Sequence, residues 1–431
     1  MARLRSFTLR NFRSYKEATL QLGPVTLLVG ANASGKSNAI EGLQMLSWLA
    51  RGQRLEDVFR AVQEAELSIR GLPTHLARDG EDSFSFACEI RRGEWNRLEV
   101  EIENTGGGLR LHHESVSSPS EEAPLYTAKG RGGGGVAVAY HSFSRGPNKP
   151  EIPCTDQQAV FTQLLTPARF SATHKKSQET IPKVCETFME ALQNILFLDP
   201  IPRRMRNPSF AEDRKLRGDG GNLSSTLFAL CQSAASKQAV LDFVRDFPEQ
   251  RISKLEFLEG PRNDVLLQLE ETFGGAARWR DASLLSDGTL RVLAMAAALL
   301  AAPEHGTVVM EEIDNGLHPS RSRALLESVQ RIAQQRKLAV LITSHNPALL
   351  DALPDSAVPD VVFCYRDPAE GDSRLVRLED LPNYPELVAR GPLGRLVTQG
   401  TLDRMVKQGE SPEKRRQSGL RYVEQLRIAE E

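Results

Sequence analysis

The sequence predicts an α/β fold with a mixed parallel core sheet, an antiparallel β-lobe and an inserted helical lobe. Three observations predict it. The apolar runs "VTLLVG", "TVVM" and "LAVLITS" each stop at a glycine turn, a carboxylate pair or a histidine, the pattern of buried strands with a ligand at their carboxyl ends. Between about Ser83 and Val116 the segments "FSFACEI", "RLEVEIE" and "LRLHHESV" alternate in period two, as strands of an antiparallel meander do. From Asp156 to about Phe247 the apolar spacing turns helical, with "TIPKVCETFMEALQNIL" and "NLSSTLFALCQSAASKQAVLDFVRDF" the clearest stretches.

In chain order, "RLRSFTLRNF" and "ATLQL" read as strands leading to "VTLLVG", followed by a helix whose apolar positions Ile40, Leu43, Leu46 and Ala50 form one stripe. Residues 117–150 are rich in Ser, Pro and Gly and read as a mobile loop; a phosphate-cradling role for Gly132 to Gly135 lacks a strand–loop–helix frame. After the helical stretch, "RISKLEFLEG" and "DVLLQLEE" return to strands, and a compact run of strands and helices extends from Leu284 to Leu350. The expected parts are 1–82 and 251–380 as two halves of one head, 83–150 as β-lobe and Gly-rich loop, 151–250 as helical lobe, and 381–431 as a helical tail. The charged stretch from Ser411 reads either as a surface helix or as a solvated tail.

Composition narrows the classes. The chain has 431 residues, 40% hydrophobic and 26% charged, enough for a large core, and a formal charge of −2 argues against a wholesale polyanion binder. A local basic groove would be invisible in that total, so DNA is neither implied nor excluded. Cys88, Cys154, Cys185, Cys231 and Cys364 show no CxxC spacing, which fits a reducing cytoplasm. The longest apolar run, "VLAMAAALLAAP", is too short to span a bilayer, so no membrane segment is expected.

Gly30-Ala31-Asn32-Ala33-Ser34-Gly35-Lys36-Ser37 matches GxxxxGK[ST] between an expected strand and an expected helix. Glycines let the backbone wrap phosphates, amides and the helix N-terminus point at the anion, and Lys36 adds a positive charge for the β- and γ-phosphates of ATP. The Ser37 hydroxyl is suited to Mg²⁺. At the end of the "TVVM" strand, pleating sends Glu311 and Glu312 to opposite faces, which places Glu311 near Mg²⁺ and leaves Glu312 to orient an attacking water. His345 closes another core strand and is expected at the γ-phosphate. In "SLLSDGTLRVLAMAAALLAAP", Ser286 caps a helix apolar nearly all round, with Gly288 in its turn.

The segment Leu285-Ser286-Asp287-Gly288-Thr289 resembles the LSGGQ signature of ABC-type ATPases, and the order of loop, insertion, signature, acidic strand and histidine strand is similar to that class. The resemblance implies an ABC-type P-loop NTPase head in which the signature of one copy touches the γ-phosphate held by another. ATP would then be sandwiched in a homodimer or higher homo-oligomer, with Asn315 to His318 crossing the interface. Asn11, Phe12, Arg13, Ser14 and the Asn38 that follows the loop resemble the opening of RecF, SMC and OLD-type ATPases, which implies that Arg13 lies near nucleotide. "EEIDNGLHP" and "LITSHNPALLD" are similar to a bacterial antiphage-defence branch.

Departures qualify the match. Asp287 and Thr289 stand where transporters have Gly and Gln, Glu311 replaces the usual Asp, and the Q-loop glutamine is unplaced, Gln63 being a candidate by distance alone. The insertion lacks SMC-like coiled coil, and no Asp-x-Asp follows the histidine strand, so the chain is expected to work with a separate effector, a nuclease or toxin. Two alternatives stand beside this reading: a RecF-like DNA-repair ATPase, and an ATP-stabilised scaffold caging a toxic partner. Arg203, Arg204, Arg206, Arg214, Lys215 and Arg217 read equally as a DNA groove or effector interface and as a salt-laced surface.

Overall fold

The computed structural model describes residues 2–64, 66–106, 108–130, 135–144, 149–245, 251–273, 275–314, 321–381 and 384–407. A six-stranded sheet runs in the order Leu196–Leu198, Thr307–Met310, Ala339–Ser344, Val25–Val29, Val362–Arg366, Ser373–Arg377. The first five strands are mutually parallel, and the last is antiparallel to its neighbour. Register aligns Leu198 with Met310 and Ser344 with Val29, so the carboxyl ends of four strands open along one edge.

Both faces of this sheet are covered, which is why its strands read as continuous apolar runs. Leu28, Val309, Leu341, Val362 and Cys364 face one buried cluster, which includes the helices Lys36–Leu49 and Lys175–Gln193. Leu27, Val29, Val308, Met310, Val340 and Ile342 face the other, with helices Leu223–Leu230, Ala234–Arg245, Asp287–Ala301 and Ser322–Gln335. The first cluster also takes in an eight-stranded antiparallel sheet, ordered Tyr15–Gln21, Leu4–Phe12, Ser83–Ile90, Arg97–Thr105, Gly108–Ser117, Tyr126–Gly130, Gly135–Tyr140, Glu151–Thr155. In the second cluster lies a smaller sheet in which Asp264–Phe273 pairs with Arg251–Glu259, Ser209–Phe210 and Ala276–Asp281.

Three expectations need correction. Residues 117–150 are not all loop: Tyr126–Gly130 and Gly135–Tyr140 pair antiparallel, and buried Tyr126, Ala128, Val136, Val138 and Tyr140 anchor them. The breakers only separate these strands, and Gly132 to Gly134 lie outside the described residues. The stretch read as a helical lobe also supplies strands, Leu196–Leu198 to the core sheet and Ser209–Phe210 to the small sheet. Its second long helix is two, because the Ser233 hydroxyl accepts from Ser236 N and starts a new helix after Leu230.

Helices Tyr384–Ala389, Leu393–Thr398 and Thr401–Lys407 follow the last core strand, with Leu387, Leu393, Leu396 and Leu402 buried in the second cluster. The charged segment from Ser411 and the Asn315 to His318 loop lie outside the described residues. Among the described residues, no helix is long and apolar enough to cross a membrane.

Candidate nucleotide site

The loop Gly30–Gly35 connects the strand Val25–Val29 to the helix Lys36–Leu49. Lys36 Nζ donates to Gly30 O at 2.6 Å and Ala31 O at 3.0 Å, spanning the loop mouth. Burial holds this ammonium below its usual range, against the opposing pull of Cys364 and Glu312. Gly35 has φ +121, and a Cβ there would lie 2.3 Å from Ser373 Oγ, so the sequence needs glycine at this point. Ala31, Asn32, Ala33 and Ser37 are exposed, while Ser34 is buried.

The loop is braced by residues remote in sequence. Tyr15 OH donates to Gly35 O at 3.0 Å, Ser373 Oγ to Ser34 O at 2.5 Å, and Arg366 Nε to Ala33 O at 3.2 Å. Asn38 Nδ2 donates to Ser14 Oγ at 2.7 Å, and Ser14 Oγ meets Ser373 Oγ at 2.7 Å. The Arg13 guanidinium donates to Arg70 O and His75 O and pairs at 3.3 Å with Glu41, one of the carboxylates that act on Glu311. Asn11 and Arg13, at φ 49 and 54, make a tight turn between the strands Leu4–Phe12 and Tyr15–Gln21.

Glu311 and Glu312 leave the Thr307–Met310 strand before either one, so a turn, and not the pleat, separates them. Glu311 N donates to Leu198 O at 3.0 Å; Glu312 sits at φ 46 with its N–H on Thr343 Oγ1 at 3.1 Å. Glu312 Oε1 lies 3.8 Å from His345 Nδ1, both side chains about half exposed (54% and 45%) and open to a reactant. Glu311 is pushed up to about 7, first by burial and then by the carboxylates of Asp199, Glu312 and Glu41, with Arg70 opposing. Asp199, directly after the Leu196–Leu198 strand, is raised by burial, with Arg291 opposing and Glu312 adding.

Ser286 caps the helix Asp287–Ala301, accepting from Thr289 N at 3.1 Å, and is itself exposed. One Arg206 Nη donates to Leu285 O at 3.0 Å and to Asp287 Oδ1 at 2.6 Å, fixing the turn that contains Ser286 and Gly288. Of the other basic residues near it, Arg204 pairs with Asp219 and Arg217 with Asp213, which favours the salt-laced reading of that cluster. Gln63 ends the short helix Val58–Gln63 and is exposed.

Comparison with known proteins follows this division. Residues 3–76 match the family described as "AAA ATPase domain", and residues 166–351 match "AAA domain, putative AbiEii toxin, Type IV TA system". The first covers the loop, and the second covers Asp199, the Ser286 turn, the glutamates and His345. The chain is 48% identical over 69 residues to the "DNA replication and repair protein RecF" of Gloeobacter violaceus, covering 16% of each chain. With the RecF of Paenarthrobacter aurescens it shares 35% over 106 residues, 23% of this chain and 25% of that one. The chain carries an AAA-type ATPase domain that is similar in part to RecF.

The matches span only 16 to 25% of the length of these relatives. Solved structures similar to the ATPase domain include the SmcHead bound to the C-winged helix domain of ScpA, at 13% identity and TM-score 0.43, covering 87% of this chain and 97% of that one. Another is the Smc head domain with an extended coiled coil bound to the C-terminal domain of ScpA derived from Pyrococcus furiosus, at 10% identity and TM-score 0.45, covering 90% and 100%.

Such ATPase domains bind nucleotide, typically with Mg²⁺, and the residues fit that ion. Among the described residues there is no cluster of three or more metal-ligating side chains. Mg²⁺ at nucleotide sites takes one or two protein oxygens beside phosphates and waters, so Ser37 and Glu311 are a sufficient protein set. The crowding of Asp199, Glu41 and Glu312 that raises Glu311 is a negative field a divalent cation would neutralise. Sequence reading missed Asp199, although "ILFLDP" has the same apolar-run-then-carboxylate form as "TVVMEE".

A pH dependence follows. Between 4.5 and about 7 the folded ATPase domain keeps a proton on Glu311 that the unfolded chain releases. The folded state therefore binds more protons, and this group's contribution to stability falls as pH rises through that window. Glu114, buried and also pushed up to about 7, acts in the same direction. In urea unfolding with chelator, Glu311→Gln is expected to lose less stability than wild type between pH 5 and pH 8. Equal losses would remove Glu311 from the acidic cluster.

Proposed function

We propose that the chain hydrolyses ATP as a head that closes with a second copy over two nucleotides, and that closure regulates a separate effector, a nuclease or toxin, in bacterial antiphage defence. One observation carries the reading: Lys36, Glu311, Glu312 and His345 converge where three neighbouring parallel strands end. Lys36 and the loop amides of residues 30 to 38 hold phosphates; Ser37 and Glu311 hold Mg²⁺. Glu312 receives a proton from the attacking water while His345 and the second copy's exposed Ser286 turn, with Gly288, steady the γ-phosphate. The division into head halves 1–82 and 251–380, β-lobe 83–150, helical lobe 151–250 and tail 381–431 is part of this proposal, with the 151–250 lobe relaying closure to the partner.

The match of residues 166–351 to a family whose description names a toxin of a type IV system supports the defence setting. A second reading, DNA maintenance, is supported by the similarity to RecF over 69 residues. A cytoplasmic setting suits either. Steady-state phosphate release and mass photometry test the core of the proposal. Wild type should release phosphate well above Lys36→Ala and become dimeric with ATP; release equal to Lys36→Ala, with partner and DNA supplied, leaves only a scaffold.

A further inference from the structure

At the opposite edge of the core sheet lies a second feature, unrelated to the ATP reading. His305 and Lys337 stand just before the strands Thr307–Met310 and Ala339–Ser344, at the amino ends of strands whose carboxyl ends carry the catalytic candidates. The six residues of Ala339–Ser344 separate the two ends by roughly 20 Å. Arg3, at the head of the Leu4–Phe12 strand, and Arg91 and Arg92, in the turn after Ser83–Ile90, join them around an open cleft of about 390 Å³.

Every residue lining this cleft is basic or histidine. Among the described residues, Arg3, Arg91, Arg92 and Lys337 form no ion pair, whereas Arg97 pairs with Glu89 and Arg377 with Asp360. Nε and Nη2 of Arg3 are buried without a hydrogen-bond partner. Arg3 is held below its usual range by burial and then by Arg91, with Asp360 opposing; Asp360 is already paired to Arg377. Backbone bonds fix the arrangement: Arg91 N donates to Arg3 O at 2.8 Å, and His305 N to Arg336 O at 3.2 Å. His305 and Lys337 are both left-handed, at φ 63 and 55, a conformation in which a glycine would cost less.

Uncompensated cations gathered from three segments, with donors left unmet, are suited to an anion of several charges. No Phe, Tyr or Trp lines the cleft, so it offers no platform of the kind on which successive bases stack. We infer that this cleft binds phosphate groups through Arg3, Arg91, Arg92 and Lys337, taking either the backbone of duplex DNA or a free polyphosphate. The site is separate from the nucleotide loop and goes beyond the proposed ATPase cycle.

The test uses the full chain carrying Lys36→Ala, so that neither probe reads the nucleotide loop. Anisotropy of a labelled mixed-sequence duplex, and calorimetry with inorganic tripolyphosphate, are compared with and without Arg91→Glu, Arg92→Glu and Lys337→Glu, all at exposed positions. Duplex binding that weakens tenfold or more on charge reversal, with its salt slope reduced by about 2 to 3, assigns the cleft to a nucleic-acid backbone. Tripolyphosphate binding lost on reversal, without duplex binding, assigns it to a free polyphosphate. No binding of either probe, or affinities unchanged in a triple variant that melts like its parent, overturns the inference. Arg3→Gln, which removes charge without reversing it, gives the same answer should the triple variant fail to fold.

Discussion

Glu312→Gln is expected to bind ATP as wild type does, to release phosphate roughly 100-fold more slowly, and to accumulate as an ATP-bound dimer. The amide keeps the size of the side chain, and the turn at φ 46 rests on a backbone bond to Thr343 Oγ1 that the substitution leaves in place. What disappears is the carboxylate facing His345, an ionisable group open enough to take a proton from water. Glu311→Gln should behave differently, weakening Mg²⁺ dependence more than nucleotide affinity. Should Glu312→Gln turn over at the wild-type rate, or remain monomeric at saturating ATP, the assignment of Glu312 fails.

Arg206→Ala is expected to lower ATP-dependent dimerisation and phosphate release about tenfold, while shifting stability by less than about 1 kcal/mol. The small stability effect follows from the exposure of its partner, Asp287, at 63%. The larger functional effect follows from geometry, because the same guanidinium group holds Leu285 O and Asp287 on either side of Ser286. The measurement is a double-mutant cycle with Asp287→Ala, read by phosphate release. Independent effects at the two positions, or an Arg206→Ala variant as active as wild type, would remove the pair from function.

Legibility in the sequence followed distance along the chain. The strand, loop and helix around Gly30 to Ser37 are contiguous, so spacing and apolar pattern together disclosed them, and the same holds for the helix capped by Ser286. Strands buried on both faces announced themselves as apolar runs. The braces on the loop were invisible, since Tyr15, Arg366 and Ser373 meet it only after the sheet has assembled. The partners of Arg13 were invisible as well, since a motif names a residue without fixing what its side chain meets. In residues 117–150 glycines and serines masked short strands whose register comes from neighbours already in place.

The stretch from Leu196 to Arg206 has a consequence of its own. It begins as the edge strand, passes Asp199 beside the Glu311 carboxylate, is stiffened by Pro200 and Pro202, and finishes with Arg206 gripping the turn that caps the neighbouring helix. One short segment thus touches both the acidic cluster and the Ser286 turn. Under the proposed dimeric scheme, a change of charge in one pocket would bear on the surface that this same copy offers to its twin.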